Sequence, residues 1–176
     1  MEERRIILTS FGIFEKDLLD RLAISVTNEY HQPVSLVESH FDLNPFYSPG
    51  RRQYDANQLL KHISSYGPPE PAKTLGLFRV DLFIPVLTYI FGQAMLGGNT
   101  GIASVYRLKN ELYGMKKDDG LMAERFSKEV IHELGHTFGL IHCHVSTCVM
   151  RSSTYVEDID QKSLHLCSKC QSEAGI

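Results

Sequence analysis

The stretch HELGHTFGLIHCHVSTCVM, from His132 to Met150, places four histidines, two cysteines, one glutamate and two glycines within nineteen residues. Residues four apart on an α-helix are offset by about 40° and one turn, so His132 and His136 can aim their imidazoles at one point. A continued helix would carry His142 about 15 Å along the axis from His132. Gly139 supplies the way out, because glycine adopts the left-handed conformation that ends a helix and turns the chain back, bringing His142 round as a third ligand. Three neutral imidazoles around zinc leave a fourth position open, as in catalytic rather than structural sites. Glu133 is poorly placed as a ligand. It is well placed to take a proton from water at the open position and pass it to a departing amine. A pattern of five specified positions, HExxHxxGxxH, arises by chance in a chain of this length on the order of once in 10⁵. That sets aside ordinary surface or core histidines for these three. His144 breaks the spacing and reads as a bystander.

Upstream, Asp118 or Asp119 can cap a helix beginning near Leu121. Its Phe126, Val130, Leu134 and Phe138 recur at fourfold spacing on the face expected to meet a sheet, with Glu129, His132, Glu133 and His136 on the other side. Farther back, RRIILTSFG and PVSLVES read as strands flanking a helix from Glu15 to Tyr30, whose apolar face is Leu18, Leu19, Leu22, Ala23 and Val26. NPFYSPGRRQ reads as a loop, ANQLLKHISSY as a helix and GPPEPAK as a second loop. TLGLFRVDLF, LTYIFGQAML and GIASVYRLK follow as candidate strands, the last two joined by the turn-rich GGNT in an antiparallel hairpin at one edge. Crossover helices imply parallel pairing for the earlier strands. The expected class is therefore α/β with a mixed sheet, and no regular element is legible after Gly139.

All four cysteines fall in the last third of the chain. Cys143, Cys148, Cys167 and Cys170 can form two disulfides in any of three pairings if secreted. In a reducing cytosol the four-residue and two-residue gaps point instead to a structural zinc held by four thiolates. His142 and Cys143 are consecutive, with α-carbons about 3.8 Å apart, so two zinc ions per chain would be near neighbours and the second would stiffen the backbone presenting His142.

Composition narrows the remaining choices. The 176 residues suit one domain, or one with a small appended lobe; 43% are hydrophobic and 22% charged, and the net charge is −3. Such mild acidity argues against nucleic acid as a partner, and Arg51-Arg52 reads as a solvated loop. The N-terminal apolar run is too short for a secretion signal and leads directly into an amphipathic segment, so a cytoplasmic protein is expected. Leu82 to Thr100, the longest uncharged stretch, is broken by Pro85, Gln93, Asn99 and several glycines, which suits a buried strand and turn rather than a membrane span.

The segment HExxHxxGxxHC, followed by Cys148, Met150 and the closing CxxC, resembles the archaemetzincin family within the metzincin zinc metalloproteases. The signature covers residues 132–170, and the gap between Met150 and Cys167 is one residue shorter than in the family pattern, a change that touches a loop. The resemblance implies a twisted mixed sheet with backing helices and an active-site helix over residues 1–139. It also implies a small irregular zinc-binding subdomain over 140–176. His132, His136 and His142 would hold catalytic zinc, Glu133 would be the general base, and Met150 would form the hydrophobic floor called the Met-turn, a role suited to a pliable thioether. YIFGQAML could pair with extended substrate as an edge strand. Tyr155 reads as a packing residue, and Asp81 as either a strand cap or an orienting group.

The function expected is a zinc-dependent peptidase acting on a peptide or protein. Two alternatives share part of the pattern. Bacterial rRNA-maturation endoribonucleases use three histidines at this spacing but lack the adjacent glutamate and the four-cysteine set, and a non-catalytic zinc module leaves the open histidine site unexplained.

Overall fold

The computed structural model describes residues 4–67 and 71–176. The loop read over GPPEPAK therefore lies partly outside the described residues. Strand β1 (Ile6–Phe11) alternates, burying Ile6, Leu8 and Ser10 on one face. Helix α1 (Lys16–Tyr30) packs against that face through Leu18, Leu22, Val26 and Tyr30, a stripe at fourfold spacing. It ends at His31, which takes a left-handed conformation with φ 51°. β2 (Val34–Ser39) then pairs parallel to β1.

The region read as a loop contains two short strands, β3 (Tyr47–Ser48) and β4 (Gln53–Asp55), paired antiparallel. Asp55 caps α2 (Ala56–Ser64) by accepting from the Gln58 N–H at 3.2 Å. β5 (Lys73–Phe78) is buried from Thr74 onward, as a strand covered on both faces must be.

The next two expected strands each divide between sheets. TLGLFRVDLF breaks after Phe78, and the chain resumes as β6 (Leu82–Ile84) in a different sheet. Asp81 holds the crossing point: Arg107 donates to its two carboxylate oxygens at 2.8 and 2.6 Å, and Gln53 donates to it at 3.2 Å. This resolves Asp81 as an orienting group within the scaffold. LTYIFGQAML divides at Phe91 into β7 (Leu87–Ile90) and β8 (Gly92–Ala94). β9 (Thr100–Ser104) closes the expected hairpin, antiparallel to β8. The main sheet thus runs β2-β1-β5-β9-β8, parallel except for β8, and the smaller one runs β3-β4-β6-β7.

Helix α3 (Asp119–Thr137) is capped by Asp118, which accepts from the Leu121 N–H at 2.9 Å. Phe126, Val130 and Leu134 are fully buried against the sheet and α1. Phe138 stacks on Tyr30 with ring centroids 4.9 Å apart, and the Tyr30 hydroxyl donates to the Ile131 carbonyl at 2.6 Å. Two short helices, α4 (Val156–Gln161) and α5 (Ser168–Ala174), occupy the stretch where no regular element is legible. Buried Arg125 ties α3 to α4 by a two-pronged bond to Asp160, each contact 2.7 Å, and also donates to the Leu108 carbonyl and to Asn110. The hydrophobic core on this face is continuous from β1 through α3 to Met150, Ile159 and Cys170. Among the described residues no helix is long and apolar enough to cross a membrane.

Candidate active site and thiol cluster

Gly139 ends α3 as the spacing requires. Its φ is +89°, and the Leu140 N–H reaches the Gly135 carbonyl while the Gly139 N–H reaches that of His136, both at 3.0 Å. Together these form the paired bonds of a Schellman motif. The reversal brings His142 back to the helix. One ring nitrogen from each of His132, His136 and His142 lies within 4.8 Å of the other two.

Two of the three rings have their tautomer fixed by the backbone. The Nδ1 of His132 sits 2.8 Å from the Val149 carbonyl, and that of His136 sits 2.7 Å from the Leu140 carbonyl. A ring nitrogen facing a carbonyl oxygen must donate, so both Nε2 atoms carry lone pairs. These face each other at 3.1 Å. Without a cation between them that contact is repulsive; tetrahedral zinc with bonds of about 2.0–2.1 Å spaces its ligands at about 3.3 Å. Burial, followed by the ammonium of Lys162, holds His132 well below the usual imidazole range, and burial lowers His136 and His142 as well. All three are thus kept in the neutral form that binds metal.

Glu133 points from the same helix into the site and is almost wholly buried. Burial, and next the charge of Glu129 one turn earlier, push its carboxyl well above the ordinary range. Gly92 on β8 gives this side chain its room: a β-carbon there would come within 2.7 Å of Glu133 Cγ and of the Ile102 carbonyl. Lys162 closes the floor, buried, with its Nζ donating to the Arg151 carbonyl at 3.0 Å and lying 3.4 Å from His132 Nδ1. Neither Gly92 nor Lys162 stands out in the sequence. Each meets the site through a residue 30 or more positions away, Glu133 for Gly92 and His132 for Lys162, so no local motif could have marked it.

Met150 is fully buried. Gly135 faces it: a β-carbon at that position would fall well inside contact distance of Met150 Sδ and 3.0 Å from its Cε. A glycine inside a helix costs about 1 kcal/mol relative to alanine, and room for the thioether explains its use here. Gly135→Ala is expected to lower stability by up to about 2 kcal/mol net, since overpacking costs about 1–3 kcal/mol and the gain in helix propensity returns about 1 kcal/mol. Denaturant unfolding checks this, and a raised midpoint would mean that Met150 simply moves aside.

The four cysteines form a second cluster, with Cys148 and Cys170 buried and Cys143 and Cys167 at its half-buried edge. Sγ–Sγ separations are 3.8 Å for Cys143–Cys167 and 3.9 Å for Cys148–Cys170. These are free thiols rather than disulfides, and the spacing is near the about 3.8 Å between thiolates on a tetrahedral zinc with bonds of about 2.3 Å. A backbone hydrogen bond from Cys170 draws the Cys167 thiol down to about 7, whereas burial raises Cys170 and Cys148. His144 is exposed and belongs to neither group.

The histidines open into a cleft of about 750 Å³. Its walls include β7 and β8, each an edge strand of its sheet. Tyr155, expected to pack, is 62% exposed and lines this cleft. The hydroxyl of Tyr89, another wall residue, donates to the Thr154 carbonyl at 3.2 Å.

Comparison with known proteins finds relatives along nearly the whole chain. Residues 7–174 match the model described as Peptidase family M54. The archaemetzincin of Thermococcus kodakarensis is 40% identical over 174 residues, covering 96% of this chain and 94% of that protein. Among solved structures, the zinc-dependent peptidase from Methanocorpusculum labreanum superposes with a TM-score of 0.87 at 28% identity, covering 96% of this chain and 99% of the other. The archaemetzincin from Methanopyrus kandleri superposes with a TM-score of 0.85 at 33% identity, covering 98% and 94%.

Proposed function

This chain belongs to peptidase family M54, the archaemetzincins, and on that premise we propose that His132, His136 and His142 hold the catalytic zinc of a metallopeptidase whose general base is Glu133. The observation that carries the proposal is the pair of Nε2 lone pairs facing each other at 3.1 Å, fixed by two carbonyl-bound Nδ1 atoms, with His142 completing the set. Zinc bound there supplies a Lewis acid that polarises a carbonyl and makes water nucleophilic near neutral pH.

The chain's own residues do the rest. Val149 and Leu140 orient two of the imidazoles through their carbonyls. Glu133, outside the ligand set, accepts the proton of the attacking water and returns it to the leaving amine. The same carboxyl that burial makes reluctant to ionise is thereby made a stronger base. Met150 packs under the histidines as the apolar floor.

Cys143, Cys148, Cys167 and Cys170 hold a second, structural zinc in this reading, giving two per chain. It also divides the chain into an upper part, 1–139, ending in the active-site helix, and a lower part, 140–176, carrying the third histidine, Met150 and the cysteines. Free thiols at 3.8–3.9 Å suit a reducing compartment such as the cytoplasm.

The test is digestion of a peptide library by the purified, zinc-loaded protein, read by mass spectrometry beside an RNA substrate. Cut peptides and intact RNA are expected. The reverse pattern would restore the endoribonuclease reading and overturn this one.

A further inference from the structure

Four large apolar side chains stand in solvent at the mouth of the histidine cleft: Leu87 is 49% exposed, Leu96 61%, Ile141 67% and Tyr155 62%. The charged residues that line the same cleft, Glu129, Glu133 and Lys162, are all buried. Among the described residues, none of the exposed groups lining the cleft is acidic or basic in the sense of Asp, Glu, Lys or Arg. In a chain with 22% charged residues, these four apolar side chains, interrupted only by exposed Thr88, His142, Ser152 and Thr154 and by no Asp, Glu, Lys or Arg, mark a contact surface around one opening.

Two of the four are fixed relative to the imidazoles. Ile141 directly precedes His142. Leu96 precedes Gly97, whose N–H donates to the His136 carbonyl at 2.8 Å and so moors the turn to the end of α3. Resting on the peptidase reading above, we infer that the cleft selects peptides carrying a bulky apolar side chain beside the scissile bond, and that Leu96 and Ile141 are the specificity-determining residues. An apolar group seated against them removes both surfaces from water. A charged group entering the same place sheds hydration and finds no counter-ion at the rim.

The experiment uses the full-length, zinc-loaded protein and paired peptides differing only in leucine or aspartate beside the cleaved bond, with the favoured position found from a randomised library. The leucine peptide is expected to exceed its aspartate partner at least about tenfold in kcat/KM, the discrimination an apolar pocket supports. Leu96→Lys and Ile141→Lys alter exposed positions, so fold and metal content should hold. They are expected to raise KM for the leucine peptide, leave its kcat nearly unchanged, and improve cleavage of the aspartate peptide. A wild-type profile indifferent to charge, or both variants keeping that profile, overturns the inference.

Calorimetric titration of both peptides into zinc-loaded Glu133→Gln protein separates this result from the hydrolytic reading. Preferential binding of the leucine peptide without cleavage by wild type would sink the peptidase reading and uphold the selectivity. Cleavage with equal binding and equal rates would do the opposite.

Discussion

Glu133→Gln is expected to lower kcat on a peptide substrate by about 10²–10⁴-fold, the range contributed by a positioned general base, while zinc content is unchanged. Glutamine has the shape of glutamate and fills the space left by Gly92, so the surroundings need not move. It cannot accept the proton of the attacking water. The carboxyl lies outside the three-histidine set, so its loss removes no ligand. Stability gives an independent readout. Glu133 and Glu129 are both buried on one helix face, and burial and mutual proximity push Glu133 well above the usual carboxylate range. Removing one of two crowded acids should leave the melting temperature unchanged or higher. Initial rates on a fluorogenic peptide, atomic absorption for zinc and a thermal melt suffice, and a loss smaller than about tenfold would mean that water is activated without Glu133.

Cys167→Ala is expected to empty both proposed metal positions in sequence, first the thiolate site and then the histidine site. The reason lies in the backbone between Cys143 and Met150. The Cys143 N–H donates to the Met150 carbonyl at 3.0 Å, the Val149 N–H donates to His165, and the Val149 carbonyl fixes the His132 ring. Cys167 shares that frame, its own N–H reaching Cys148 Sγ at 3.4 Å. Structural zinc contributes an apparent ~10–16 kcal/mol in small zinc-binding peptides. That is comparable with the whole stability of a typical domain, about 5–15 kcal/mol, so residues 140–176 should lose their order without it. Loss of an outer partner such as the Val149 carbonyl typically weakens metal binding by about 10–100-fold. Metal analysis after gel filtration should show fewer than one zinc per chain, with a lowered melting temperature. Two zinc ions per chain in the variant would refute the coupling.

The convergence of residues at the candidate site was largely legible in the sequence because its parts are local. His132, Glu133 and His136 need only the helical period, and Gly139 needs only the left-handed turn it makes. The mixed sheet was legible for a similar reason, since alternation in β1 and the GGNT turn each speak for themselves. What escaped depends on distant partners. The run TLGLFRVDLF is apolar enough for one strand, but Asp81 is drawn aside by Gln53 and Arg107, 28 and 26 residues away. α4 is too short to show a period. Its Asp160 is anchored by Arg125, 35 residues earlier. Lys162 sits in an unremarkable QKS segment and becomes part of the cleft only when the chain folds over α3.

The packing of Gly135 against Met150 makes the two positions a single steric variable in evolution. Enlarging residue 135 crowds the buried thioether, and shortening residue 150 alone leaves a cavity, so either change by itself is penalised and the pair drifts most readily in concert.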